Sequence, residues 1–138
     1  TEDELYCWGT NEPTLIPGRP GTLTRPLRLG VDHSWKSVSV GFDHVCAIEV
    51  GGALYCIGDN EQGELGIEGQ ARQLPTPVLE GERFSAVSAG WHSTCAVRSS
   101  DSAVLCFGSN EFQQLGREDE ASSEPDFICL PSFASSGD

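Results

Sequence analysis

The chain has 138 residues, enough for one domain that buries its own core, and a hydrophobic fraction of 38% with no run of transmembrane length. A formal charge of −13, with Lys36 the single lysine among eight basic residues, repels phosphate backbones and anionic headgroups, so neither nucleic acid nor direct membrane insertion is expected. Six cysteines, at 7, 46, 56, 95, 106 and 129, contain no C-x-x-C, which removes the usual signatures of zinc ribbons, redox sites and haem attachment.

In chain order, the acidic opening Glu2, Asp3, Glu4 carries no charged-then-apolar leader. Leu5-Tyr6-Cys7-Trp8-Gly9-Thr10-Asn11-Glu12 opens a partial unit over residues 5–30. A full unit occupies 35–74. Lys36 to Val40 alternates as a strand and Gly41 to His44 makes a bend. Val45 to Val50 and Ala53 to Ile57 form a hairpin around Gly51-Gly52. A polar turn, Asp59 to Gly63, closes at Leu65-Gly66, and a longer loop with Pro75 and Pro77 leads onward.

A second unit at 84–125 repeats the first. Trp35 aligns with Phe84, Val38 with Val87, Gly41 with Gly90 and Cys46 with Cys95 at a shift of 49. One extra residue then enters the hairpin loop. Beyond it, Cys56 aligns with Cys106, Gly58 with Gly108, Asn60 with Asn110, and Leu65-Gly66 with Leu115-Gly116, at a shift of 50. The opening segment matches Leu54 to Glu61 at 49. Glu118, Asp119, Glu120, Glu124 and Asp126 read as a solvated acidic loop, and residues 126–138 as a tail or the start of a further strand. No segment has sustained helical periodicity, so residues 1–138 read as a single repeat-built all-β domain of propeller blades or a β-solenoid.

Hairpin counting pairs four cysteines. With Val50-Gly51-Gly52 as the loop, Glu49 faces Ala53 and Cys46 faces Cys56. With Ser99 to Ser102 as the next loop, Arg98 faces Ala103 and Cys95 faces Cys106, so the extra residue preserves the pairing. Directly opposed residues in an antiparallel pair lie about 4.5–5.5 Å apart, within disulfide reach. Four buried free thiols are the alternative. Cys7 sits at the second-cysteine position of its partial unit, and a Cys7–Cys129 link would join the chain's ends, although nothing local requires it. Disulfides place the protein in an oxidising compartment: secreted, periplasmic or an organelle lumen.

The segments G-F-D-H-V-C-A-I (Gly41 to Ile48) and L-Y-C-I-G-D-N-E-Q-G-E-L-G (Leu54 to Gly66) resemble the regulator of chromosome condensation repeat. The pattern recurs in Gly90 to Val97, Leu105 to Gly116 and Leu5 to Asn11, and its cysteines look like those of secreted members. The resemblance implies a β-propeller whose loops bind partner proteins, here a partial one of about two and a half blades. Too few units are present to close a ring, so other chains or further blades are expected as partners. Two departures stand out: Ser93 replaces the family histidine found at His44, and Gln113 replaces the turn glycine found at Gly63, which implies a rearranged turn.

Catalytic chemistry is not evident. His33, His44 and His92 lack metal-ligand spacing, and His44 reads as a hydrogen-bonding core residue. Asp59-x-Glu61-x-Gly63 misplaces the glycine of a calcium loop, and neither a nucleophile elbow nor a phosphate loop occurs. No cofactor, metal or small-molecule ligand is expected. Trp8, Trp35 and Trp91 read first as core, while Phe42, Trp91 and Phe112 are the exposed-anchor candidates. Loops Thr10 to Thr24 and Ile67 to Pro77 are left to make contacts. The expected function is a non-catalytic interaction or structural subunit. The alternatives that the resemblance implies are a nucleotide-exchange factor for a small GTPase and a secreted propeller-type enzyme inhibitor.

Overall fold

The computed structural model describes residues 3–11, 21–118 and 122–127, the last stretch as backbone only. All regular structure in it is antiparallel β. Strands β1 (Leu5–Asn11) and β2 (Gly21–Leu29) form a two-stranded sheet. A four-stranded sheet follows in the order β3 (Trp35–Val40), β4 (His44–Glu49), β5 (Leu54–Gly58), β6 (Arg72–Val78). The third sheet repeats that order with β7 (Phe84–Ala89), β8 (Ser93–Arg98), β9 (Val104–Gly108) and β10 (Ser122–Phe127). By repeat position β1 and β2 match β5 and β6, so the first unit comprises the outer half of a blade.

The hairpins form in the expected register. Cys46 lies opposite Cys56, and Cys95 opposite Cys106; both pairs are disulfide-bonded, with Cα atoms 4.1 Å apart. The loops close through Glu49 N–H to Ala53 O at 2.9 Å and Arg98 N–H to Ala103 O at 2.8 Å. Cys7 lies opposite Leu27 on β2, is half-buried, and forms no disulfide among the described residues. Cys129, and with it the Cys7–Cys129 link, lies outside the described residues.

Three expectations are corrected. The loop through Pro75 and Pro77 is strand β6, and of the Thr10 to Thr24 loop Thr10 belongs to β1 and Gly21 to Thr24 to β2, while residues 12–20 lie outside the described residues. Likewise Glu124 and Asp126 of the acidic segment fall in β10. Each misread strand lies outermost in its sheet, where a residue needs hydrogen bonds on one side only and proline is tolerated. Pro26, Pro75, Pro77 and Pro125 sit there. They also blunt edges that would otherwise recruit other chains. Finally, the turn at Gln113 is not rearranged. Gln113 adopts φ 60°, Gly63 φ 80°, and both turns close from that residue's N–H to the preceding Asn60 or Asn110 carbonyl.

The two complete sheets pack face to face, with β7 against β3 and β4. Cys46, Ile48, Leu54, Cys56, Leu65, Val78, Phe84, Ala96, Leu105 and Phe107 form the core between them. The Cys46–Cys56 disulfide is therefore part of this core, whereas Cys95 and Cys106 are not among its residues, and Leu65 and Leu115 are fully buried by the turns that end each unit. Gly66 shows why the Leu-Gly turn needs glycine: at φ 68°, a Cβ there would lie 2.9 Å from the Phe107 ring of the following blade. Trp8 occupies the repeat position of Ile57 and Phe107, which are 4% and 1% exposed, yet it is 68% exposed. The core expectation therefore does not hold for Trp8 among the described residues. Trp35 is buried, and its indole N–H donates to Leu29 O at 3.3 Å, tying the first sheet to the second.

Candidate functional site at the junction of two blades

Successive blades bring equivalent residues side by side. The bend Gly41–His44 between β3 and β4 lies against the bend Gly90–Ser93 between β7 and β8, joined by Phe42 N–H to Gly90 O at 3.2 Å. Ser39 reinforces the seam by accepting the Ala89 N–H at 2.8 Å. Phe42 and Trp91, paired by the repeat, consequently stack with ring centroids 4.2 Å apart and planes 13° from parallel. Both stay exposed, at 58% and 66%, so Trp91 is a surface residue and not core. Beside Phe42 a cleft of about 290 Å³ extends to β1, lined in part by Tyr6, Trp8 and Val40. The junction thus presents a continuous aromatic and apolar surface, which is uncommon on a soluble domain without a binding role. Phe112 is 81% exposed but lies in the turn after β9 and makes no ring contact with this pair among the described residues.

Beneath the aromatic pair is a buried polar layer. His44 is 1% exposed; its Nε2 lies 2.8 Å from Thr94 Oγ1, which itself donates to Glu64 O at 2.8 Å. Because the threonine proton goes to the carbonyl, His44 Nε2–H is the donor and its Nδ1 carries no proton. Burial pushes His44 below the ordinary histidine range, against the opposing pull of Asp43. Gly41 makes room for the ring, since a Cβ there would sit 2.5 Å from His44 Cε1. At Gly90, where Ser93 replaces the histidine, the same Cβ would meet only Ser93 Oγ at 3.3 Å.

Asp43 and Glu64 face this layer from blade two, and His92 from blade three. Glu64 is fully buried; one carboxylate oxygen accepts Gln62 N–H at 2.8 Å, and the other lies 3.5 Å from His92 Nδ1. His92 Nδ1 is 3.1 Å from Asp43 Oδ2, while Asp43 Oδ1 is 3.5 Å from the bare His44 Nδ1. Burial, with Asp43 and Asp59 adding to it, raises the Glu64 carboxyl above the usual range. Spacing along the chain does not reveal this group, because its members lie on two bends and a turn. The available signal is in the repeat alignment, where Asp43/His92, His44/Ser93 and Glu64/Gln114 all change chemistry together.

Two family models, both described as the regulator of chromosome condensation (RCC1) repeat, match the chain, one over residues 51–97 and one over 35–64 and 84–114. Protein RCC2 of Homo sapiens is 25% identical over 126 residues, 87% of this chain and 24% of that protein. Ultraviolet-B receptor UVR8 of Arabidopsis thaliana is 30% identical over 131 residues, 86% of this chain and 28% of the receptor. Protein pim1 of Schizosaccharomyces pombe is 31% identical over 139 residues, 90% and 25% of the two chains. The chain therefore spans about a quarter of the length of these relatives. Among solved structures, yeast RCC1 (Prp20) bound to Kap60 superposes with a TM-score of 0.80 at 23% identity, covering 94% of this chain and 34% of that one. Human WBSCR16 gives 0.75 at 18%, covering 96% and 36%. Those superpositions establish the fold as part of a β-propeller.

Proposed function

The chain belongs to the regulator of chromosome condensation (RCC1) repeat family, and from that premise we propose that it is a non-catalytic interaction module of an oxidising compartment. The observation that carries this reading is the exposed Phe42–Trp91 stack beside the Tyr6, Trp8, Val40 cleft. Its partner is a protein that offers an apolar anchor flanked by basic groups, complementary to the aromatic surface and the net charge of −13. Relatives support protein binding in general terms: one structure of yeast Prp20 holds Kap60, and another describes binding to Gsp1p and histones. The disulfides at Cys46–Cys56 and Cys95–Cys106 support the oxidising compartment.

The test is affinity for a partner recovered from the secretory fraction, measured with purified proteins. Replacing the pair, Phe42→Ala with Trp91→Ala, is expected to weaken binding at least tenfold while leaving the fold intact. Leu74→Ala, an equally exposed apolar residue elsewhere on the surface, leaves it unchanged. Unchanged binding in the double variant contradicts the assignment of this surface. The second reading, nucleotide exchange on a small GTPase, is favoured by the Gsp1p binding of yeast Prp20. Accelerated release of a fluorescent guanine nucleotide from such a GTPase would establish it; the interaction-module reading predicts no acceleration.

A further inference from the structure

We propose that Asp43, Glu64 and His92 form a divalent-cation site of zinc-like preference, bridging the two complete blades. The site goes beyond the contact surface above and stands whether or not the aromatic pair binds a partner.

Three observations converge. One ligand atom from each side chain lies within 4.8 Å of the others, a nitrogen and two carboxylate oxygens. Two of the edges, 3.1 Å from His92 to Asp43 and 3.5 Å from His92 to Glu64, bracket the roughly 3.3 Å separating donors around a tetrahedral zinc with bonds of about 2.0–2.1 Å. Glu64 Oε1 and His92 Nδ1 are buried without a hydrogen-bond partner, on side chains 0% and 29% exposed, and the Asp43 carboxylate whose Oδ2 faces His92 is on a side chain 4% exposed. Uncompensated buried carboxylates are costly, and a cation relieves both at once.

The repeat shows what Glu64 is for. Gln114, its counterpart, closes the same turn by accepting Phe112 N–H at 2.8 Å, as Glu64 accepts Gln62 N–H. An amide therefore suffices for the turn, and the charge at Glu64 serves something else. The partial exposure of His92 leaves an approach from solvent and a place for water as fourth ligand. One imidazole and two carboxylates suit zinc over magnesium or calcium, which take oxygen donors alone.

The experiment titrates zinc chloride into the disulfide-intact chain, with any free thiol alkylated with iodoacetamide so that no cysteine binds metal. Binding is read by calorimetry, thermal melting and Trp91 fluorescence, since His92 lies edge-on to the Trp91 ring at 5.8 Å. We expect one equivalent bound, a raised melting temperature, and at least a tenfold loss of affinity in Glu64→Gln and in His92→Ala. The Glu64→Gln variant keeps its turn, as Gln114 demonstrates, so its loss of binding reports the ligand and not misfolding. His33→Ala, at a separate His33–Glu49 contact, leaves affinity unchanged. No saturable binding, or binding equal in both ligand variants and the parent, overturns the proposal.

Discussion

A single histidine shows how the buried layer couples stability to pH. Burial pushes His44 below the ordinary histidine range, while its Nε2–H donates to Thr94 Oγ1 and its other nitrogen lies against Asp43. The unfolded chain takes up a proton on this residue near pH ~6.5, whereas the folded chain resists it. The resulting stability is present above that range and declines as pH falls below it. Glu64 works in the opposite sense, because its raised carboxyl binds a proton more readily folded than unfolded, so its contribution falls as pH rises through that raised value. In chelator-treated protein, thermal melts between about pH 7.5 and 5.5 are expected to show falling stability, with the slope reduced in His44→Gln. An unchanged slope in that variant contradicts the role given to His44. His44 was legible in the sequence as a buried hydrogen-bonding residue; its partner Thr94 was not, because Thr94 stands 50 positions away and aligns with the apolar Val45.

At the scale of elements, each unit is fixed by its hairpin and by an asparagine-anchored turn. Asn60 Oδ1 accepts Leu65 N–H at 3.0 Å and its Nδ2 donates to Ile67 O and Gly69 O, both at 2.8 Å. Asn110 repeats the scheme with Leu115 N–H at 2.9 Å and Arg117 O at 2.8 Å. These bonds hold the second turn in the same shape although Gln113 must enter the left-handed region at φ 60°. The strain is relievable. Gln113→Gly is expected to raise stability by on the order of 0.5–1 kcal/mol, the left-handed penalty less the added freedom of the unfolded chain. Denaturant melts measure it, and a loss of stability contradicts it. Strands β3, β4, β5 and their repeats were readable because turn glycines and alternating apolar residues delimit them. Strands β2, β6 and β10 were not, because an outermost strand admits proline, and proline in sequence reads as loop.

Across the whole molecule, what the sequence withheld is whatever one blade does to the next. Stacking of Phe42 on Trp91 and the Asp43, Glu64 and His92 group arise where neighbouring units meet. The disulfides each staple a hairpin, and the one between Cys46 and Cys56 lies in the core between the complete blades. They join the fold to the proposed setting, since such bonds persist in an oxidising compartment and not against cytosolic thiols. Non-reducing peptide mapping of the protein isolated from its own cells tests that connection most directly. Links Cys46–Cys56 and Cys95–Cys106 are the expected result, whereas free thiols at these four positions would contradict a stapled interaction module and bring the GTPase reading to the front.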